Sequence, residues 1–189
     1  PLNERLLVSL TDHTSFALER AQKGEHFSNP LLEAVREYYP AEYALACQCL
    51  AEIEARTGTA LPEAEAGFIA QHIVNAELNT SMSEVDGITS MVEGCVAAAE
   101  AYYGRKFDRQ SLSFSRFAVH LRFFAQRLVQ GKGQDGPEAA RDELFRALVA
   151  RNCSRHYGCA QAIAAYVQQA WHKAVPDEEL VYLTIHLKR

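Results

Sequence analysis

Pro62-Glu63-Ala64-Glu65-Ala66-Gly67-Phe68-Ile69-Ala70-Gln71-His72-Ile73 is the stretch on which the reading of this chain turns. Proline opens it, Glu63 and Glu65 follow, and Phe68, Ile69, Ile73 and Ala76 recur every three or four residues. A proline in the first turn loses no helical hydrogen bond, and acids there suit the helix dipole. The stretch therefore predicts a helix. It returns as Pro176-Asp177-Glu178-Glu179-Leu180-Val181-Tyr182-Leu183-Thr184-Ile185-His186-Leu187. Proline, acid, Glu, aromatic, aliphatic, His and aliphatic coincide at an offset of 114 residues (72 to 186).

The match extends outward. The same offset pairs Leu31 with Phe145, Val35 with Val149, Tyr43 with Tyr157 and Ile53 with Val167. Nearer the front of each copy, His13, Phe16 and Arg20 align with His120, Phe123 and Arg127 at an offset of 107 (13 to 120). The difference places extra residues of the second copy in the Gly-rich loop Gln130-Gly131-Lys132-Gly133-Gln134-Asp135-Gly136-Pro137, which holds regular structure poorly. Pro40 restarts a helix and Gly58 stops it. Asp86 begins another, with Ile88, Met91, Val92, Cys95, Val96 and Ala99 on one side. No stretch alternates at a period of two. The chain reads as all-α: two tandem homologous helical-bundle domains, 1–79 and 80–189. The helix ahead of His120, about 86–103, has a counterpart that would fall before residue 1. The expectation is that the chain begins inside a longer protein, with the first helix of the first domain cut away.

Composition agrees with a globular chain and narrows its chemistry. The 189 residues are 48% apolar and 23% charged, within the ordinary range. Lys and Arg number 19 against 24 acids, a net charge of −5, which lacks the basic footprint that a nucleic-acid backbone calls for. Apolar runs are short, so no membrane insertion is expected. The first residues lack the pattern of an export signal, and five cysteines form no dense framework. Reduced thiols and a cytoplasmic location are the expectation.

Seven histidines are the oddity, and four of them recur. His13, Phe16, Ala17 and Arg20 share one helical face, as do His120, Phe123, Phe124 and Arg127. His72 follows Phe68 by four residues and Glu65 by seven, and His186 stands the same way to Tyr182 and Glu179. The bland reading is that duplication copied ordinary packing residues. The chemical reading is phosphoryl acceptance, because a neutral imidazole nitrogen is a nucleophile near pH 7. Arg20 and Arg127 lie where they could pair with the added charge. A metal site is disfavoured, since neither His-x3-His nor Glu-x-x-His stands on one helix at these positions. Cys153-x-x-His156-x-x-Cys159 is read as three weak ligands lacking a partner cluster. His26 and His172 are read as solvated, and the Phe and Tyr positions beside the four histidines as core.

Several of these residues together carry a family resemblance. Leu10-Thr11-Asp12-His13, Asn29-Pro30-Leu31-Leu32 and Glu65-Ala66-Gly67-Phe68-Ile69-Ala70-Gln71-His72-Ile73-Val74-Asn75-Ala76 resemble the first phosphotransferase regulation domain of BglG/SacY-type transcriptional antiterminators. Arg116-Phe117-Ala118-Val119-His120-Leu121-Arg122-Phe123-Phe124-Ala125-Gln126-Arg127 and Glu179 to His186 resemble the second. The resemblance implies a regulatory region of a sugar-responsive antiterminator that acts as a homodimer. It implies phosphoacceptors at His13 and His72, charged by a cognate sugar permease to inactivate. It implies phosphoacceptors at His120 and His186, charged by the carrier HPr to activate. Asp12, Arg20, Asn75, Arg116 and Arg127 are the supporting residues, and RNA is bound by an N-terminal domain outside this chain. No catalytic residue, cofactor or metal is implied. The alternatives are the equivalent region of a DNA-binding activator, a helical metal-dependent hydrolase, and a plain helical dimerisation domain with inert histidines.

Overall fold

The computed structural model describes residues 5–78, 80–131 and 143–188. Among them are nine helices and no strand. Most of the Gly-rich loop expected at 130–137 lies outside the described residues. The chain divides into two compact units, Pro1–Thr89 and Ser90–Arg189.

The first unit holds α1 (Arg5–Gln22), α2 (Leu32–Tyr38), α3 (Pro40–Thr57) and α4 (Glu63–Leu78). α4 carries the opening stretch of the sequence and packs against α1, α2 and α3. Its burial explains its pattern. Glu65, Ala66, Gly67, Ile69, Ala70, Gln71, Ile73 and Val74 are all buried, so the helix is covered on more than one side. Pro40 occupies the first turn of α3, and Gly58 ends it in the left-handed region at φ 70°, where a side chain would be strained. Gly67 has a different reason to be glycine. A Cβ there would sit 2.6 Å from Asn29 Nδ2, so α4 approaches the Asn29 turn more closely than alanine allows. Asn29 Nδ2 donates to Gln71 Oε1 at 2.9 Å, and Gln71 Nε2 donates to Asp86 Oδ1 at 2.6 Å. This chain satisfies two buried amides at once.

α5 (Met82–Tyr103) contains the division between the units. It starts four residues earlier than the apolar periodicity indicated. The cause is a capping box: Ser81 N donates to Glu84 Oε2 at 2.7 Å, and Glu84 N donates to Ser81 Oγ at 3.3 Å.

The second unit repeats the plan of the first. α6 (Leu112–Gln130), α7 (Glu143–Asn152), α8 (Ser154–Trp171) and α9 (Asp177–Lys188) follow in order, and α9 packs against α6, α7 and α8 as α4 does against α1, α2 and α3. Ser111 caps α6 by accepting from Phe114 N at 3.1 Å. Leu121, Phe124, Ile163 and Leu183 are fully buried in its core, with Met91, Val92 and Cys95 from α5. Gly94 on α5 has no room for a Cβ, because the Tyr166 hydroxyl of α8 lies in that space.

Candidate functional site

Each central helix brings one histidine against a helix that carries another. In the first unit His13 on α1 and His72 on α4 lie with ring centroids 5.0 Å apart, and Phe68 stands 5.6 Å from His13. In the second unit His120 on α6 and His186 on α9 stack nearly parallel at 3.3 Å. The four histidines singled out by the repeat therefore meet as two pairs, one in each unit.

The support comes from a residue type that the sequence reading left out of the site. Glu65 is 3% exposed and accepts from His13 Nε2 and Arg20 Nη2, both at 2.8 Å. Burial alone would push its carboxyl up; the hydrogen bonds from His13 and Arg20 outweigh this and hold it below the ordinary carboxylate range. Glu179 is the counterpart, 2% exposed. It accepts from Arg127 Nε at 2.8 Å and from Arg127 Nη2 at 2.9 Å, a two-pronged pair. Burial opposes the charge on Arg127, yet Glu179 more than restores it. The signal was present: Glu65 with Arg20 and Glu179 with Arg127 recur at the same two offsets as the histidines.

The pairs differ in polarity. His72 is half-buried, and its Nδ1 has no hydrogen-bond partner. Burial, and secondarily the neighbouring His13, push its pKa below the usual histidine value. A neutral imidazole there keeps a lone pair for nucleophilic attack. In the second unit Tyr182 takes the place of Phe68 and supplies a hydroxyl, hydrogen-bonded to His120 Nδ1 at 2.6 Å. Burial raises the Tyr182 pKa, so that hydroxyl stays protonated near neutrality.

The other named residues stand less centrally. Asp12 and Arg116 are exposed, and Asn75 is half-buried with its Oδ1 unpartnered. Arg20 and Arg127 are already committed to Glu65 and Glu179. The expectation that all aromatic neighbours of the histidines belong to the core fails at two equivalent positions. Phe16 is 60% exposed and Phe123 50%. Each lies one turn from its histidine on the helical wheel, but among the described residues α1 and α6 pack along the side that meets α4 and α9. Phe68 and Tyr182 are half-buried instead.

Among the described residues no three His, Cys, Asp or Glu side chains are grouped to hold a metal ion. Cys153 forms the N-cap of α8, while Cys159 is buried within that helix. His26 and His172 are exposed. Among the described residues no helix is long and apolar enough to cross a membrane.

Comparison with known proteins places the chain in a family. A model of the PRD domain matches residues 1–76 and 93–189. The chain belongs to the PRD family. Its PRD relatives include the transcription antiterminator LicT of Bacillus subtilis, 38% identical over 188 residues, covering all of this chain and 66% of LicT. The beta-glucoside operon antiterminator of Dickeya chrysanthemi is 37% identical, covering all of this chain and 65% of the relative. The PtsGHI operon antiterminator of Bacillus subtilis is 34% identical over 175 residues, covering 93% of this chain and 60% of the relative. The PRD chain thus spans somewhat under two thirds of the length of these relatives. In sequence it is similar to the PRD-bearing parts of these antiterminators.

Proposed function

We propose that this chain is the phosphorylation-controlled region of a sugar-responsive transcriptional antiterminator, organised as two regulatory domains over 1–79 and 80–189. It receives phosphoryl groups rather than catalysing turnover. In this reading His13 and His72 take the inactivating group from a cognate sugar permease, and His120 and His186 take the activating group from HPr. The two marks set the balance between dimer packings, and RNA is bound by a domain outside these residues, in the cytoplasm.

The observation that carries this reading is the duplicated constellation. Each unit pairs two histidine rings across two helices and anchors an arginine on a buried glutamate beside them. Core packing alone explains neither a half-buried imidazole with an unpartnered Nδ1 nor the repeated buried charge. The names of the relatives support an antiterminator over a DNA-binding activator.

The local electrostatics indicate how a mark acts in the first unit. A phosphoryl group brings nearly two negative charges. On His13 it would stand beside Glu65, whose negative charge is stabilised by that histidine and by Arg20. Like charges at this separation repel, and an Arg20 drawn to the phosphoryl group leaves a buried carboxylate short of a partner. Phosphorylation of the first unit therefore loosens the packing of α1 on α4. Incubating the chain with phosphorylated HPr and mapping the label tests the assignment. Label on His120 or His186 is the expected result, and label on neither refutes the activating half.

A further inference from the structure

The second unit contains a cavity of about 370 Å³ that the regulatory reading does not use. His186 lines it, in company with Arg105, Asp108, Ser113, His156 and Lys188. These groups come from four places: the loop after α5, the first turn of α6, the middle of the second unit in α8, and the end of α9. Two buried phenylalanines, Phe114 and Phe117, form an apolar wall. Such a wall strengthens any charge interaction made against it.

The charges are arranged for an anion. Asp108 is the one carboxylate among the described lining residues, and its Oδ1 is engaged by Gln110 N at 3.0 Å. Buried Glu100 holds the loop in place, accepting from Lys106 Nζ at 2.8 Å and Phe107 N at 2.9 Å and pairing with Arg109 at 2.9 Å. That leaves Arg105 and Lys188 with no ion pair to a carboxylate among the described residues. The α6 N-terminus adds partial positive charge on the same side.

The duplication shows that His156 and Lys188 are particular to the second unit. At the offset that aligns His186 with His72, His156 aligns with Glu42 and Lys188 with Val74, which is fully buried. The first unit has the histidine, with Glu42 and Val74 where the second has His156 and Lys188.

We propose that this cavity seats a phosphoryl group carried on His186, held by Arg105, His156, Lys188 and Ser113. The inference rests on the reading of His186 as a phosphoacceptor. In the transfer a lone pair of the neutral His186 ring attacks phosphorus and forms an N–P bond. The P–N bond of the donor breaks, and its electron pair leaves with the donor nitrogen. The proton of the His186 ring passes through solvent to that departing nitrogen. The seated group then ties α6, α8, α9 and the loop after α5 to one anion, so the mark stabilises the second unit. In the first unit a mark on His13 stands beside Glu65 instead and loosens the packing of α1 on α4.

The test uses the whole chain and phosphoramidate, a donor independent of the phosphotransferase proteins. The chain is labelled, the sites are mapped by mass spectrometry, and thermal unfolding is compared with the unlabelled chain. His186→Gln isolates the contribution of this site. Label on His186 is expected to raise the midpoint of the second unit by about 4 °C or more. The double variant Arg105→Gln/Lys188→Gln is expected to keep the unlabelled midpoint, both side chains being exposed, and to lose the rise. The charge-keeping variant Arg105→Lys/Lys188→Arg should retain it, which separates lost charge from lost folding. An equal rise in the neutral double variant overturns the proposal, as does failure of phosphoramidate to label His186. Inorganic phosphate that reproduces the full rise in the unlabelled chain assigns the cavity to free phosphate and overturns it too. A rise with phosphoramidate but no labelling by phosphorylated HPr leaves the seat standing and removes the donor assignment instead.

Discussion

The two units share a plan and differ in how one buried carboxylate is used. In the first, Glu65 divides its oxygens between His13 and Arg20. In the second, Glu179 gives both oxygens to Arg127, and Tyr182 attends His120. His13 is thereby tied into an ion-pair cluster, while the Tyr182 hydroxyl is bonded to His120 Nδ1. A charge added at His13 disturbs the scaffold directly. One added at His186 faces a cavity whose lining includes Arg105 and Lys188. On this proposal the sign of the nearest charge decides whether a phosphoryl group is repelled at His13 or held at His186.

The strongest way to break this comparison is to neutralise the carboxylates. Glu65→Gln is expected to cost about 2–3 kcal/mol in urea unfolding, since hydrogen bonds to charged groups are worth about 1.5–3 kcal/mol. It should also change the His13 ring signals seen by NMR, because Nε2 loses a charged partner. Glu179→Gln is expected to cost about as much, through the lost two-pronged pair with Arg127. Unchanged His13 ring signals in Glu65→Gln would remove the ion-pair cluster as a description of the first unit.

Gly67→Ala comes next. The new Cβ would crowd Asn29 and Leu32, and overpacking of this kind costs about 1–3 kcal/mol. The aligned position in the second unit is Val181, buried and already branched, so Val181→Ala should cost less than about 2 kcal/mol as a simple cavity. Equal losses at the two sites would show that the Asn29–Gln71–Asp86 chain does not set the first unit apart.

A smaller effect concerns pH. The folded-state pKa of His72 lies below its usual value of 6.5, so the native state binds fewer protons than the unfolded chain. The stability this gives is present above pH 6.5 and is lost as pH falls toward the lowered value. His72→Gln should flatten that acid slope in unfolding curves. Glu65 adds a second loss at lower pH, as its depressed carboxyl is protonated. An unchanged slope in His72→Gln would mean that another group carries it.

The smallest effect is expected at the exposed phenylalanines. Phe16→Ser and Phe123→Ser should each change unit stability by no more than about 0.5 kcal/mol, as exposed substitutions usually do. A loss of 2 kcal/mol or more at either would return that ring to the core.

Much of this was legible in the chain because it is local. Proline starts, glycine stops and apolar spacing are written within one or two turns, and the duplication confirms each element by a second example. Pro40, Gly58 and the Pro62 and Pro176 stretches mark helices that form where expected. The start of α5 was misjudged for a local reason as well: Ser81 and Glu84 form a capping box that apolar periodicity does not register.

Which partner each charge chooses was decided by the tertiary structure. Glu65 and Glu179 were visible only as positions in a repeat, and nothing nearby in sequence showed that Arg20 and Arg127 reach them across 45 and 52 residues. The exposure of Phe16 and Phe123 depends likewise on how much of α1 and α6 the central helices cover. Helical periodicity tells which residues share a face. Only packing tells which faces are covered, and only the distances between helices tell where a buried charge finds its counterion.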